Sequence, residues 1–138
     1  MIRQFANINW ISVLIAFVVY SVHGALWFTL FFSEAYKLSL GRENETLANG
    51  AIFIVGPAVC TLVVTLASAL LFYALRISSY KEAFEFAFVI GIGFLVANTF
   101  NIAINPNIPR PILYGIISGS YHLVGILTVS MIFMAMKK

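Results

Sequence analysis

Four long apolar runs, at about residues 9–32, 51–75, 84–105 and 111–136, constrain this sequence more than any other feature. Each is close to the ~20 residues that a helix needs to cross a hydrocarbon layer about 30 Å thick. With no water inside a bilayer, every backbone N–H and C=O must be paired within one segment or within a closed barrel. Barrel strands alternate apolar and polar residues over about ten positions, and these runs do not alternate, so helices are predicted. Composition agrees: 62% of the residues are hydrophobic and 9% are charged, more apolar surface than a soluble chain of this length can hide. The same figures exclude a disordered chain, which needs low hydrophobicity and dense charge. The expected fold class is all-α: a polytopic membrane protein forming a four-transmembrane-helix bundle, with residues 1–138 as a single transmembrane domain in the lipid bilayer. The first run is too long for a signal-peptide core and lacks a small-x-small cleavage site, so it is expected to remain in the mature chain.

Charge in the short connections sets the orientation. Arg3, Arg76, Lys81, Lys137 and Lys138 fall on one side, against Lys37, Arg42 and Arg110 on the other. The excess of basic residues marks the inner side, so both termini are predicted cytoplasmic and the protein multi-pass in the inner (plasma) membrane. The net charge of +3 is spread over loops and forms no phosphate-tracking cluster, which excludes nucleic acid as a partner. Asn44-Glu45-Thr46 has the form of a glycosylation sequon and is read as chance. The connection from 33 to 50 is expected to place a short amphipathic segment on the outer surface through Tyr36, Leu38, Leu40 and Leu47. Asn105-Pro106-Asn107-Ile108-Pro109-Arg110-Pro111 stops one helix and starts the next, since proline cannot continue a helix but suits its first turn.

Polar groups inside apolar runs are costly unless they face a bundle interior or a wet cavity, so they hold most of the functional information. Ala16, Tyr20, His23 and Trp27 form one stripe at helical spacing. Gly91, Phe94, Asn98, Asn101 and Asn105 form another on the third run. Pro57, Cys60, Thr61, Thr65 and Ser68 mark the second run, and Ser118, Tyr121, His122 and Gly125 the fourth. At about 1.5 Å per residue from each span's middle, His23, Thr61, Asn98 and His122 all fall roughly 2 to 5 Å outward of the bilayer centre. Trp27, Asn101 and Pro57 fall roughly 9 to 10 Å outward. A polar pocket in the outer half is expected, with His23, Trp27, Asn98, Asn101, Tyr121 and His122 as its ligand-binding residues.

Other chemistries lack their residues. Two histidines and an isolated Cys60 do not make a metal site, and no metal or cofactor is implied. Glu82 and Glu85 lie near water at a helix start, where they favour the helix dipole and pair with Arg76 or Lys81. Trp10, Tyr36, Tyr80 and Tyr114 are expected to be interfacial anchors. The chain contains no P-loop, no Gly-x-Ser-x-Gly elbow, no dinucleotide fingerprint and no aspartate.

Asn9-Trp10 at the first span, Gly24-Ala25-Leu26-Trp27-Phe28 followed by Leu30-Phe31-Phe32-Ser33-Glu34-Ala35-Tyr36, and Gly119-Ser120-Tyr121-His122-Leu123-Val124 in the last resemble the bacterial domain-of-unknown-function family 1761. The resemblance covers essentially the whole chain and implies a small four-span membrane protein. This sequence differs in carrying Phe28 for the usual Tyr, Ser33-Glu34 for Gly-Lys and Tyr36 for Trp.

A non-enzymatic role is expected, and no catalytic residue is assigned. In one reading the pocket binds or passes a small molecule or proton, with the imidazoles giving pH-sensitive hydrogen bonding. In a second, a structural or interaction protein, the polar residues only join helices. A third is a small four-helix enzyme, isomerase-like, with a histidine base. A homodimer would be large enough to enclose a continuous path.

Overall fold

The computed structural model describes residues 6–45 and 50–137, and among these every regular element is a helix, without strands. Helix α1 (Trp10–Leu26) continues as a π-helical stretch, Trp27–Phe31, and is followed by the short α2 (Ser33–Ser39) and by α3 (Ile52–Ala74). Next come α4 (Tyr80–Ile90), a second π-helical stretch, Gly91–Val96, then α5 (Ala97–Ala103) and α6 (Pro111–Ala135). Four helical segments are long and apolar enough to cross a membrane: Trp10–Phe31, Ile52–Ala74, Tyr80–Ala103 and Pro111–Ala135. The chain is an all-α membrane protein with four spans, as its apolar runs predict. Arg3, Thr46, Leu47 and Lys138, used in the sequence reading, lie outside the described residues.

The helix ends follow local rules. Asn9 caps α1, its side-chain oxygen accepting from the Ile11 and Ser12 amides. The third span starts at Tyr80, earlier than its apolar run, because Ser79 and Glu82 form a reciprocal capping box. Pro111 opens α6. The expected surface segment after the first span is only partly what forms. Helix α2 docks against α6, with Ser39 fully buried.

Hydrogen bonds between helix ends place both ends of the described chain at one end of the bundle. The Asn9 backbone N–H donates to the Tyr73 hydroxyl at 3.2 Å, and the Asn9 Nδ2 donates to the Met136 carbonyl at 2.9 Å. The Lys137 ammonium donates to the Ile77 carbonyl. Arg76 and Lys81 lie at this same end, the one that the charge distribution assigns to the cytoplasm. At the opposite end the Arg110 amide donates to the Ser39 carbonyl at 3.2 Å, and the Arg110 guanidinium lies 3.9 Å from Glu43. Gly41 turns there with φ of +67°, a conformation that suits glycine, and packs on the Pro109 ring.

Helix α6 is the centre. Half of its most apolar 18-residue window is buried, against 22–28% for the other three spans, and α1, α2, α3, α4 and α5 all pack on it. The half of the interior nearer both chain ends is filled by Phe72, with the rings of Phe86 and Phe133 edge-on to it at 5.6 and 5.7 Å. On the third span the small buried residues Ala83, Ala87, Gly91, Thr99 and Ala103, with Phe86 beside them, follow a spacing of four or its multiple. On a uniform α-helix each such step would rotate by about 40° off one face. The wider turns over Gly91–Val96 absorb that drift.

A histidine and aromatic cluster between α1 and α6

The cluster grows from two stripes that face each other. Tyr20, His23 and Trp27 recur every three or four residues along the first span, while Tyr121 and His122 lie side by side on α6. Close approach of the helices depends on two glycines. Tyr20 lays its ring against the Gly125 backbone, and Tyr121 lays its hydroxyl against Gly24, where an added Cβ would sit 2.8 Å from the phenol oxygen. Tyr20, 1% exposed, shares a hydrogen bond of 2.8 Å between its hydroxyl and Nδ1 of His122.

Tyr121 stands between the two imidazoles. The His23 ring stacks on it at 5.6 Å with planes 18° apart, and the His122 ring lies 4.6 Å away on the same helix. Trp27 packs 5.0 Å from the His23 ring and donates its indole N–H to the Ile117 carbonyl at 3.0 Å. Thr61, on α3, sets its hydroxyl against that of Tyr121. Buried atoms without a hydrogen-bond partner among the described residues are Nε2 of His23 and the hydroxyls of Ser21, Ser118 and Ser130.

Ring contacts carry the cluster toward the end of the bundle opposite the two chain ends. Phe28 lies 5.1 Å from Tyr121 and 4.8 Å from Tyr36, and Tyr36 lies 5.8 Å from Tyr114. Burial, reinforced by the neighbouring Tyr114, pushes the Tyr36 phenol up to about 12. Tyr36 and Tyr114 are therefore part of the packed column, not the separate anchors that their positions near the span ends predict. Tyr20 and Phe28 also belong to the cluster and were absent from the expected site. The spacing of Tyr20, three residues before His23 on one stripe, carries that signal.

Four of the six expected site residues, His23, Trp27, Tyr121 and His122, come together. Asn98 and Asn101 do not: both are exposed, on the side of α5 away from α6. The expected third-span stripe requires Gly91 and Phe94 to share a face with the asparagines. In the structure Gly91 is buried while Phe94 is 63% exposed, because the π-helical stretch changes the register between them. Thr99 and Ala103 take the inward positions instead. On α3, Thr61, Thr65 and Ser68 face inward, and Pro57 and Cys60 face out. Glu82 is used in its helix cap, and Glu85 pairs with Lys81 at 3.7 Å. Among the described residues no three His, Cys, Asp or Glu side chains gather as a metal site would need. An open cleft of about 320 Å³ lies at the other end of the bundle, lined by Asn7–Ile11 and Tyr73.

No match is found among curated proteins or solved structures. Residues 11–134 match the family described as "Protein of unknown function (DUF1761)", and they include every residue of the cluster. The chain therefore belongs to the DUF1761 family of proteins of unknown function.

Proposed function

We propose that this protein binds a proton or a small polar molecule at His23, reached from the outer side of the inner membrane. The observation that carries this reading is the unpartnered, buried Nε2 of His23. A buried polar atom without a partner is uncommon in a folded protein and calls for an explanation such as a ligand. Beside it, Nδ1 of His122 is bonded to Tyr20 and the Trp27 indole to Ile117. In this reading Tyr121 and Trp27 form the walls against which a ligand on His23 would pack, and His122 holds Tyr20 in place. The layer of Phe72, Phe86 and Phe133, packed across the bundle between the cluster and the chain ends, supports binding over passage.

A second reading, a tie between helices, is favoured by the same two hydrogen bonds, which join α1 to α6. The two readings separate on His23. The chain has two tryptophans, so Trp10→Phe leaves Trp27 as the sole indole, and a charged imidazole 5.0 Å away quenches its emission. In proteoliposomes, Trp27 emission is expected to titrate with external pH between about 5 and 8, the range of histidine. The response should vanish in His23→Gln with thermal stability nearly unchanged. Emission that ignores pH, or a His23→Gln variant that loses its fold, would assign the cluster to bundle stability alone.

A further inference from the structure

We infer that the outward face of α5 is the contact through which two copies of this chain pair in the membrane, joined by the carboxamides of Asn98 and Asn101. Both side chains are exposed and have no hydrogen-bond partner among the described residues. Residues 86–103, from just past Glu85 to the end of the helix at Ala103, are the uncharged part of this span. From its midpoint at Leu95, Asn98 lies about 5 Å and Asn101 about 9 Å toward the outer surface, still within hydrocarbon. A carboxamide facing acyl chains has nothing to bond with, and asparagine in that position is known to hold transmembrane helices together.

The surrounding surface differs from the other lipid-facing stripes. The outward residues of α1 that are exposed include Ile11, Leu14, Val18 and Val22, all apolar, which suit acyl chains directly. On the third span, Gly93 has nothing within 4 Å of where a Cβ would be, and Ala97 follows it on the exposed side. Small residues beside asparagines leave room for a second backbone to approach.

The chemistry selects a second copy as the occupant. Each carboxamide is both donor and acceptor, so the face is complementary to itself. All copies insert in one direction, so two of them can be related by a two-fold axis along the membrane normal. That axis brings Asn98 opposite Asn98 and Asn101 opposite Asn101 at equal depth, and so both kinds of hydrogen-bonding atom meet partners. This pairing does not depend on the role of His23, which lies on the opposite flank of α6.

Disulfide trapping in native membranes tests the inference. In a Cys60→Ser background, Ala97→Cys is expected to give a cross-linked band of twice the chain's mass, and Ile15→Cys on the outer side of α1 is expected to give none. Adding Asn98→Leu and Asn101→Leu should lower the cross-linked fraction by about tenfold at equal protein-to-lipid ratio. Asn98→Gln with Asn101→Gln should restore most of it. Circular dichroism and the Trp27 pH response should be the same in all variants, which separates loss of pairing from loss of fold. A monomer at every protein-to-lipid ratio would overturn the inference. So would pairing that survives both leucines, or A97C cross-links made only to a different protein.

Discussion

Replacing Gly125 by alanine tests whether the meeting of α1 and α6 rests on Tyr20. An alanine Cβ there would fall 2.5 Å from Cζ and 2.6 Å from Cδ2 of the Tyr20 ring, far inside ordinary van der Waals contact, and closer still to Cε2. The ring is 1% exposed and has no free space to turn into, so α1 must move away or Tyr20 must leave its rotamer. Overpacking of this kind costs about 1–3 kcal/mol. Displacing the ring also breaks its 2.8 Å bond to His122, worth about 0.5–1.5 kcal/mol. The total of about 1.5–4.5 kcal/mol corresponds to a fall in unfolding midpoint on the order of 10 °C, to be read by thermal unfolding in detergent. Gly56→Ala provides the control, because its nearest neighbour would be Ile52 Cδ1 at 3.9 Å, and a neutral or slightly stabilising effect is expected. Tyr20→Leu should remove most of the additional cost of G125A. If G125A unfolds at the same temperature as G56A, the close packing of Tyr20 on α6 is wrong, and with it the placement of the whole cluster.

Three further outcomes follow from other contacts. Tyr20→Phe leaves Nδ1 of His122 without its partner and should cost about 1 kcal/mol, measured by the same unfolding assay. Ser79→Ala removes the cap on the Glu82 amide at the start of α4 and should cost about 1 kcal/mol, with faster hydrogen exchange confined to the first turn. Tyr36, raised from 10.0 to about 12, keeps its proton in the folded protein where an unfolded tyrosine loses it. Its contribution to stability is therefore complete below pH 10 and lost as pH rises to about 12. Ultraviolet absorbance should show a tyrosinate step near the upper value that is lost in Tyr36→Phe.

The spans were legible because the bilayer leaves one solution for a long apolar run, and spacing alone placed Tyr20, His23 and Trp27 on the inward face of the first. The fourth span was as readable, since Tyr121, His122 and Gly125 lie within a single turn. The third was misread at Asn98 and Asn101, and the cause is physical. A helical projection assumes 3.6 residues per turn, whereas Gly91–Val96 winds more widely, so residues beyond it emerge on a different side. Nothing in the residue types of Gly-Ile-Gly-Phe-Leu-Val announces this, although the period-four series Ala83, Ala87, Gly91 and Thr99 with Ala103 is compatible with it. Tyr36 and Tyr114 were set aside because aromatic residues near span ends commonly sit among headgroups, and sequence does not show that α2 folds back onto α6.

The distribution of polarity along the bundle axis bears on what His23 can do. From Tyr20 outward the interior holds phenols, imidazoles and an indole in continuous contact; from Phe72 inward it holds close-packed phenyl rings. A group that titrates or binds at His23 exchanges more readily with the side to which polar partners extend, because transfer through stacked phenylalanines strips a proton or polar molecule of every hydrogen bond. Opening that barrier should therefore change the protein's behaviour on that side. Phe72→Ala with Phe133→Ala would open the half nearer the chain ends, and Trp27 emission in proteoliposomes should then respond to pH on both sides of the membrane rather than on one. If the unmodified protein already responds equally to both sides, the phenylalanines do not form the inner wall of the site and the asymmetry of the interior has no functional consequence.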